Sequence, residues 1–350
     1  MKLTTYQVEL PLARPFTISR GTLESQLCLY VELEHDGQRG LGEVTANTFY
    51  GHTLESIQES LKLAEPLLDR YIDERPEDVW SAMQAQVGGD PFAMAALDIA
   101  AHDLHGRRNG IPTWQDWQLE WGQVTPSSYT IAIDDVPTMV EKLEEAPGWP
   151  VYKIKLGTER DLEIVQRLRE VTTSRFRVDA NCGWTADQAI ELSGQLAELG
   201  VEFIEQPLPI EAPESDKQKL YEGSALPLVA DEDCQVPADV AQCQGKYHGI
   251  NVKICKCGGL SPALGMLRQA RQLGLKTMVG CMIESHVGIS AAAQLLPLLD
   301  YADLDGAVLL RDQPATGLEL IRGKIERPQE PGCGAQIQYD RLPEFAPTTA

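Results

Sequence analysis

From about Ser127 onward, short β-rich runs recur at one period. They are SYTIAI, YKIKL, RFRVDA, VEFIEQ, LPLVADE, GINVKI, KTMVGCMI and YADLD. Helical stretches such as DLEIVQRLREVTT, ADQAIELSGQLAELG and SPALGMLRQARQLG lie between them. Strand–helix alternation of this kind implies a parallel sheet with right-handed crossovers. One polar residue near the end of each run marks the period: Thr130, Lys155, Asp179, Glu205, Asp231, Lys253, Cys281 and Asp303. Their spacings are 25, 24, 26, 26, 22, 28 and 22 residues. Eight strand ends at one β-α period predict an α/β chain closed into a TIM-type barrel, with its active site at the C-terminal ends of the strands.

The first ~120 residues follow a different rule, with strand-like alternation first and helical spacing later. TTYQVEL and LCLYVELEHDGQRGLGEV, with an Asp-Gly turn at 36–37, predict an antiparallel meander. TLESIQESLKLAEPLLDRYI and DPFAMAALDIAAHDLHGRR read as helices, so this part is an α+β unit.

The bulk numbers exclude whole classes of partner. With 52 acidic and 30 basic residues among 350, the formal charge is −22, which repels nucleic acid and anionic membranes. No run approaches the ~18 apolar residues of a membrane span. The opening MKLTTYQVELPLARPF has no apolar core of a signal peptide. Eight scattered cysteines fit reduced thiols, so a cytoplasmic protein is expected, and also a homo-oligomer. Cys255 and Cys257 form a C-x-C with no second pair at zinc spacing, and read as core cysteines of a strand.

Three consecutive strand ends are carboxylates: Asp179 in RVDANCGW, Glu205 in IEQPLP and Asp231 in VADEDC. Each could be an isolated acid holding its own loop. Side by side around one barrel mouth they would repel one another unless a hard cation lay between them, and oxygen-only ligation favours Mg²⁺. Lysines flank this arc on both sides, Lys153 and Lys155 in VYKIKLG before it and Lys253 in INVKICK after it. Lys153 and Lys155 share one strand face, where each charge is expected to lower the pKa of the other. Lys256, three residues past Lys253, is expected to point elsewhere in an extended strand. His52 and His286 are further candidates for lining the site.

In order and spacing, RPFTISRG, GLGEV, KIK, DAN, EQP, ADE, NVK, GCMI and DLDG resemble the dipeptide epimerases of the muconate-lactonising subgroup of the enolase superfamily. The resemblance covers nearly the whole chain. It implies a (β/α)7β barrel (residues 125–320) under an α+β cap built from residues 1–124, with residues 321–350 returning to that cap. It implies Asp179, Glu205 and Asp231 as ligands of Mg²⁺, Lys155 and Lys253 as the two acid/base residues, and Lys153 against the substrate carboxylate. Thr130, Asn181, Cys281 and Ile283 would line the substrate site. Asp303 and Asp305 match an Asp-x-Asp that binds the dipeptide's ammonium, and Arg20 in TISRGT matches an arginine that meets an acidic side chain. The second covering loop, TANTFYGHT, lacks the arginine of some Ala-Glu relatives. The implied activity is Mg²⁺-dependent inversion of the α-carbon of the C-terminal residue of a dipeptide, Ala-Glu or a related one, by two-lysine proton transfer through an ene-diolate. The rival expectations are a muconate cycloisomerase, an o-succinylbenzoate synthase-like lyase, and a silent barrel that only binds an anion.

Overall fold

The structure, a computed structural model, describes residues 1–18 and 21–347. Strands β1 (Lys2–Ile18), β2 (Gly21–His35) and β3 (Gln38–Thr45) form an antiparallel meander. Asp36 and Gly37 both take positive φ (50° and 77°) between β2 and β3, as a two-residue hairpin turn of matching twist requires. Alternation sends the two faces of β2 into different clusters. Leu29, Val31 and Leu33 join the large core, while Cys28 and Tyr30 pack with Val8, Leu10, Leu310 and Phe345. Phe345 brings the C-terminal tail onto the meander.

Helix α1 (Pro91–Asn109) crosses the back of β3. It opens where the Asp90 carboxylate accepts from the Phe92 and Ala93 N–H groups, and closes at Gly110 in the left-handed region. Its small side chains let β3 approach closely. A Cβ on Gly42 would lie 1.9 Å from the Ala96 carbonyl oxygen, a clash with backbone that no rotamer relieves. Gly42→Ala is therefore expected to cost about 3 kcal/mol or more of stability, measurable as a fall in the urea midpoint. An unchanged midpoint would mean that the strand and helix separate freely.

Among the described residues, the remaining long strands form one eight-stranded parallel sheet in sequential order. They are β4 (Tyr129–Ile131), β5 (Val151–Lys155), β6 (Arg175–Asp179), β7 (Val201–Glu205), β8 (Leu228–Ala230), β9 (Gly249–Lys253), β10 (Lys276–Gly280) and β11 (Tyr301–Asp303). The sheet curls into a barrel whose seam, between β4 and β11, is thin in ladder bonds. Ser127 bridges Ala302, the Ser128 N–H donates to the Ala302 carbonyl (3.1 Å), and side chains do the rest. Ser128 Oγ–H donates to Asp303 Oδ1 (2.7 Å), and the Thr130 N–H donates to Asp305 Oδ2 (2.6 Å). Buried Arg177 plugs the floor over the rings of Phe203 and Tyr301, donating to Glu202 and to the Ala302 carbonyl.

Buried acids stitch the cap to the barrel. Glu43 of β3 accepts from the N–H of Ser285 (2.9 Å) and Gly288 (2.8 Å) and from Ser285 Oγ (2.6 Å), at the N-terminus of the helix His286–Ala293. Asp98 of α1 does the same for Ser261, at the start of the helix Leu260–Gln272. Asp103 joins Leu41 N–H, Cys333 N–H and Arg107. The hairpin of β1 and β2 is held toward the barrel mouth, since Ile133 N–H donates to the Thr17 carbonyl and Leu12 bridges Leu310.

Candidate active site

The marked strand ends fall where the barrel opens. Lys155, Asp179, Glu205, Lys253 and Asp303 are the last residues of β5, β6, β7, β9 and β11, while Asp231 and Cys281 follow β8 and β10 by one residue. Register aligns Lys155 with Asp179 and Asp179 with Glu205, so inward alternation stacks them at one level. One carboxylate oxygen from each of Asp179, Glu205 and Asp231 lies within 4.8 Å of the others, and all three residues are fully buried.

Three buried carboxylates this close need compensating charge. Burial and the charges of Asp179 and Asp231 push Glu205 up to about 7, with Lys153 opposing. Burial also opposes ionisation of Asp179, yet Lys155 and Lys153 hold its pKa below the usual range. Glu205 Oε2 makes no hydrogen bond, although Lys153 Nζ lies 2.9 Å from it. An all-oxygen, negatively charged cluster with Glu205 only partly compensated fits a hard divalent cation.

The lysine pair resolves by sharing an acid. Lys155 Nζ lies 2.7 Å from Asp179 Oδ2 and Lys153 Nζ lies 3.1 Å from the same atom. Lys153 also meets Asp303 Oδ2 (2.8 Å) and Glu205 Oε1 (3.0 Å). The expectation that its lysine neighbour lowers its pKa is corrected: burial lowers it, but Asp303, Glu205 and Asp179 outweigh burial and leave it well above the ordinary value. On the far side of the triad, Lys253 Nζ donates to Asp231 Oδ2 (2.8 Å). Burial lowers its pKa too, but Asp231, with Tyr50 and Glu205, outweighs burial and leaves it well above the ordinary value.

A cavity of about 360 Å³ lies over these groups. Every described residue expected to touch substrate lines it: Thr130, Lys153, Asn181, Cys281, Ile283, Asp303 and Asp305, together with Lys155 and Lys253. Phe16, Ile18, Leu23, Phe49 and Tyr50 complete the wall from the cap. Arg20, expected at this wall, lies outside the described residues. Asn181 sits in a tight turn with positive φ (44°), its N–H donating to Asp179 Oδ1 and its own buried Oδ1 accepting no hydrogen bond. Asp303 is drawn low: burial raises it, and Lys153 and Ser128 outweigh that. Asp305 is pushed up to about 7 by burial and by the charge of Asp303.

Other expectations fail on local geometry. His52 pairs with Asp90 and stacks on Phe92, and His286 Nδ1 meets the Leu318 carbonyl oxygen; neither lines the cavity. Cys255 and Cys257 are core cysteines, but of a one-turn helix, α2 (Ile254–Cys257), rather than a strand. Lys256 stays off the cavity, as expected, but that turn ties it to the site through Asp231. Immediately after Lys253 the chain coils, and three residues along a helix return to the same side. Buried Lys256 Nζ donates to Asp231 Oδ1 (2.5 Å) and to the Asp231 carbonyl (2.6 Å).

Two more residues of the site escaped the sequence reading. Asn251 Nδ2 donates to Glu205 Oε1 (2.9 Å), and its place two before Lys253 on β9 was a usable signal, since alternation puts both on the inner face. Gln206 Oε1 accepts from the N–H groups of Asp231 (3.0 Å) and Asp233 (3.1 Å), which holds the loop after β8 that carries Asp231. Nothing local marked it.

A barrel with acids and lysines at its strand ends, under an α+β cap, is the architecture of the enolase superfamily. Residues 137–341 match the enolase C-terminal domain-like family, and residues 1–116 match the N-terminal domain of mandelate racemase / muconate lactonizing enzyme. The chain belongs to this superfamily. It is 43% identical over 337 residues to the L-Ala-D/L-amino acid epimerase of Flavobacterium johnsoniae, covering 96% of this chain and 100% of that protein. It is similar in structure to a dipeptide epimerase from Cytophaga hutchinsonii complexed with Mg and D-Ala-L-Val (TM-score 0.90, 26% identity, 98% and 97% of the two chains). A substrate-liganded L-Ala-D/L-Glu epimerase from Bacillus subtilis is similar too (TM-score 0.89, 25% identity, 96% and 98%).

Proposed function

We propose that this protein is a Mg²⁺-dependent dipeptide epimerase that inverts the α-carbon of the C-terminal residue. The observation that supports it most is the placing of Lys155 on β5 and Lys253 on β9, four strands apart in a closed eight-stranded barrel, on either side of the Asp179–Glu205–Asp231 cluster. A flat carbanion between them is open to one lysine on each face, and inversion needs a base on each. Asp179, Glu205 and Asp231 would hold Mg²⁺, which when bound supplies positive charge for the substrate carboxylate as its α-proton leaves. Lys153 orients that carboxylate from the side of β5. One of Lys155 and Lys253 takes the proton and the other returns one from the opposite face.

Beyond Lys153, toward β4 and β11, Asp303 and Asp305 receive the dipeptide's ammonium. Asp303 already serves Lys153 and Ser128, so Asp305 has the charge to gain from a cation. Asn181 Oδ1 takes a donor from the substrate. Arg20 remains the candidate for an acidic C-terminal side chain. Eight free cysteines support a reduced, cytoplasmic setting, and among the described residues no helix is long and apolar enough to cross a membrane.

Incubating dipeptides in deuterated water tests the reading: deuterium should enter at one α-carbon, that of the C-terminal residue. A cycloisomerase or lyase would leave that carbon untouched. Asp305→Asn is the cleaner probe of the ammonium clamp, because the new carbonyl can still accept from Thr130 N–H while the charge is lost. A charge-assisted hydrogen bond contributes about 1.5–3 kcal/mol, so kcat/KM should fall roughly tenfold or more. N-acetylating the dipeptide should cost the parent enzyme a similar factor and cost the variant far less. Equal penalties in both would remove Asp305 from the recognition of the amino terminus.

A further inference from the structure

We propose that Lys256 is a positioning residue that makes Asp231 a one-oxygen ligand, and thereby sets the preference of the site for Mg²⁺ over larger divalent ions. The inference rests on the metal assignment of Asp231 proposed above and goes beyond it to a residue that does not face the substrate cavity. Asp231 is fully buried and its two carboxylate oxygens are differently engaged. Oδ1 accepts from Lys256, whose ammonium also reaches the carbonyl of the same residue, while Oδ2 meets Lys253 at the cavity. One ammonium bound to both the backbone and the side chain of Asp231 fixes the rotation of the carboxylate.

Lys256 itself has little room to move. It is 2% exposed, on a one-turn helix whose neighbouring cysteines are buried. The N–H groups of Gly258 and Gly259 both donate to the Ile254 carbonyl, and the Trp80 indole N–H of the cap donates to the Gly258 carbonyl (2.8 Å). The clamp is thus held from both parts of the molecule.

The consequence is chemical. Both oxygens of Asp231 meet an ammonium, but the one on Oδ1 is buried and bound to the backbone as well, whereas the one on Oδ2 lies at the cavity and is free to turn to substrate, so Oδ2 is the oxygen better placed to meet a metal. Mg²⁺ demands near-ideal octahedral geometry, whereas Ca²⁺ accepts carboxylates through one oxygen or two and takes more ligands. Freeing Oδ1 opens the two-oxygen mode, which suits Ca²⁺ and not Mg²⁺. Removing a buried cation also changes the attraction for any divalent ion, but that change is common to both, so their ratio isolates the positioning role.

The experiment is calorimetric titration of the purified enzyme with Mg²⁺ alone and with Ca²⁺ alone, in the parent, Lys256→Met and Lys256→Gln. The ratio of the two dissociation constants should move toward Ca²⁺ by about tenfold or more in Lys256→Met, the scale of outer-shell effects on metal sites. It should move less in Lys256→Gln, which keeps an N–H donor. An unchanged ratio in a variant that melts cooperatively overturns the inference, even if stability has dropped. Should neither variant fold, the parent crystallised with Mg²⁺ decides. Asp231 bound through Oδ2 alone, with Lys256 on Oδ1, supports the inference, and a two-oxygen Asp231 overturns it. Asp231→Asn is the separate control. If parent binding of Mg²⁺ survives that substitution, the metal reading itself fails and takes this inference with it.

Discussion

Replacing Lys253 or Lys155 by alanine is expected to stop net epimerisation, with a loss on the order of a thousandfold or more, while each variant still exchanges the α-proton of one stereoisomer. General acid–base groups contribute typically about 10²–10⁴-fold, and a two-base inversion loses its turnover when either base is gone. The two lysines end strands on opposite sides of the barrel, and each is tied to a different acid, Lys253 to Asp231 and Lys155 to Asp179. Their roles are therefore separable: the surviving lysine still faces one side of the α-carbon. Following deuterium uptake from the L and the D form of the C-terminal residue separately reads this out. Lys253→Ala should retain exchange with one form and Lys155→Ala with the other. Near-normal epimerisation by either variant would sink the two-base scheme. Lys153 should behave differently, since its ammonium serves Asp303, Glu205 and Asp179 at once, and its loss leaves Asp303 and Glu205 without their ion pair and Asp179 with Lys155 alone.

The second large effect is expected from Glu205→Gln. The substitution preserves shape and lets the new carbonyl oxygen accept from Asn251, but it removes the central charge of the triad. Mg²⁺ binding should weaken by roughly a hundredfold, and kcat/KM should fall on the order of a thousandfold, because the positive charge that meets the developing anion is worth several kcal/mol. The fold should persist, since a carboxylate pressed by two like charges is replaced by a neutral group. Calorimetry with Mg²⁺ and a melting curve separate binding from folding. Parent-like activity of the variant after treatment with a chelator would remove the metal from the reaction.

The barrel and its mouth are legible in the sequence because both follow from local rules. A β-α period of 22 to 28 residues is set by the length of one strand, one helix and two loops, and alternation along each strand puts the last polar side chain inside. Asp179, Glu205 and Asp231 could thus be placed together, and Lys155 and Lys253 on either side of them, by counting alone. The Asp-Gly turn between β2 and β3 was equally local, a matter of which residues tolerate positive φ.

What counting could not reach depends on where the chain leaves its strands. As a continued strand, β9 would give Lys256 no contact with the acids; the helical turn at Ile254 brings it onto Asp231. The cap was foreseen, but not the acids that hold it. Glu43 meets Ser285 and Gly288, and Asp98 meets Ser261, across more than a hundred residues of chain. A buried carboxylate at a helix N-terminus looks in sequence like any other acid. The division between Asp303 and Asp305 is of the same kind. Spacing made them equivalent, and only the closed seam gives Lys153 and Ser128 to one and the Thr130 N–H to the other. Periodicity along a chain determines which faces turn inward, whereas the pairing of buried charges is decided by which faces the closed barrel and its cap bring within reach, because a charge out of water is tolerated only beside a partner.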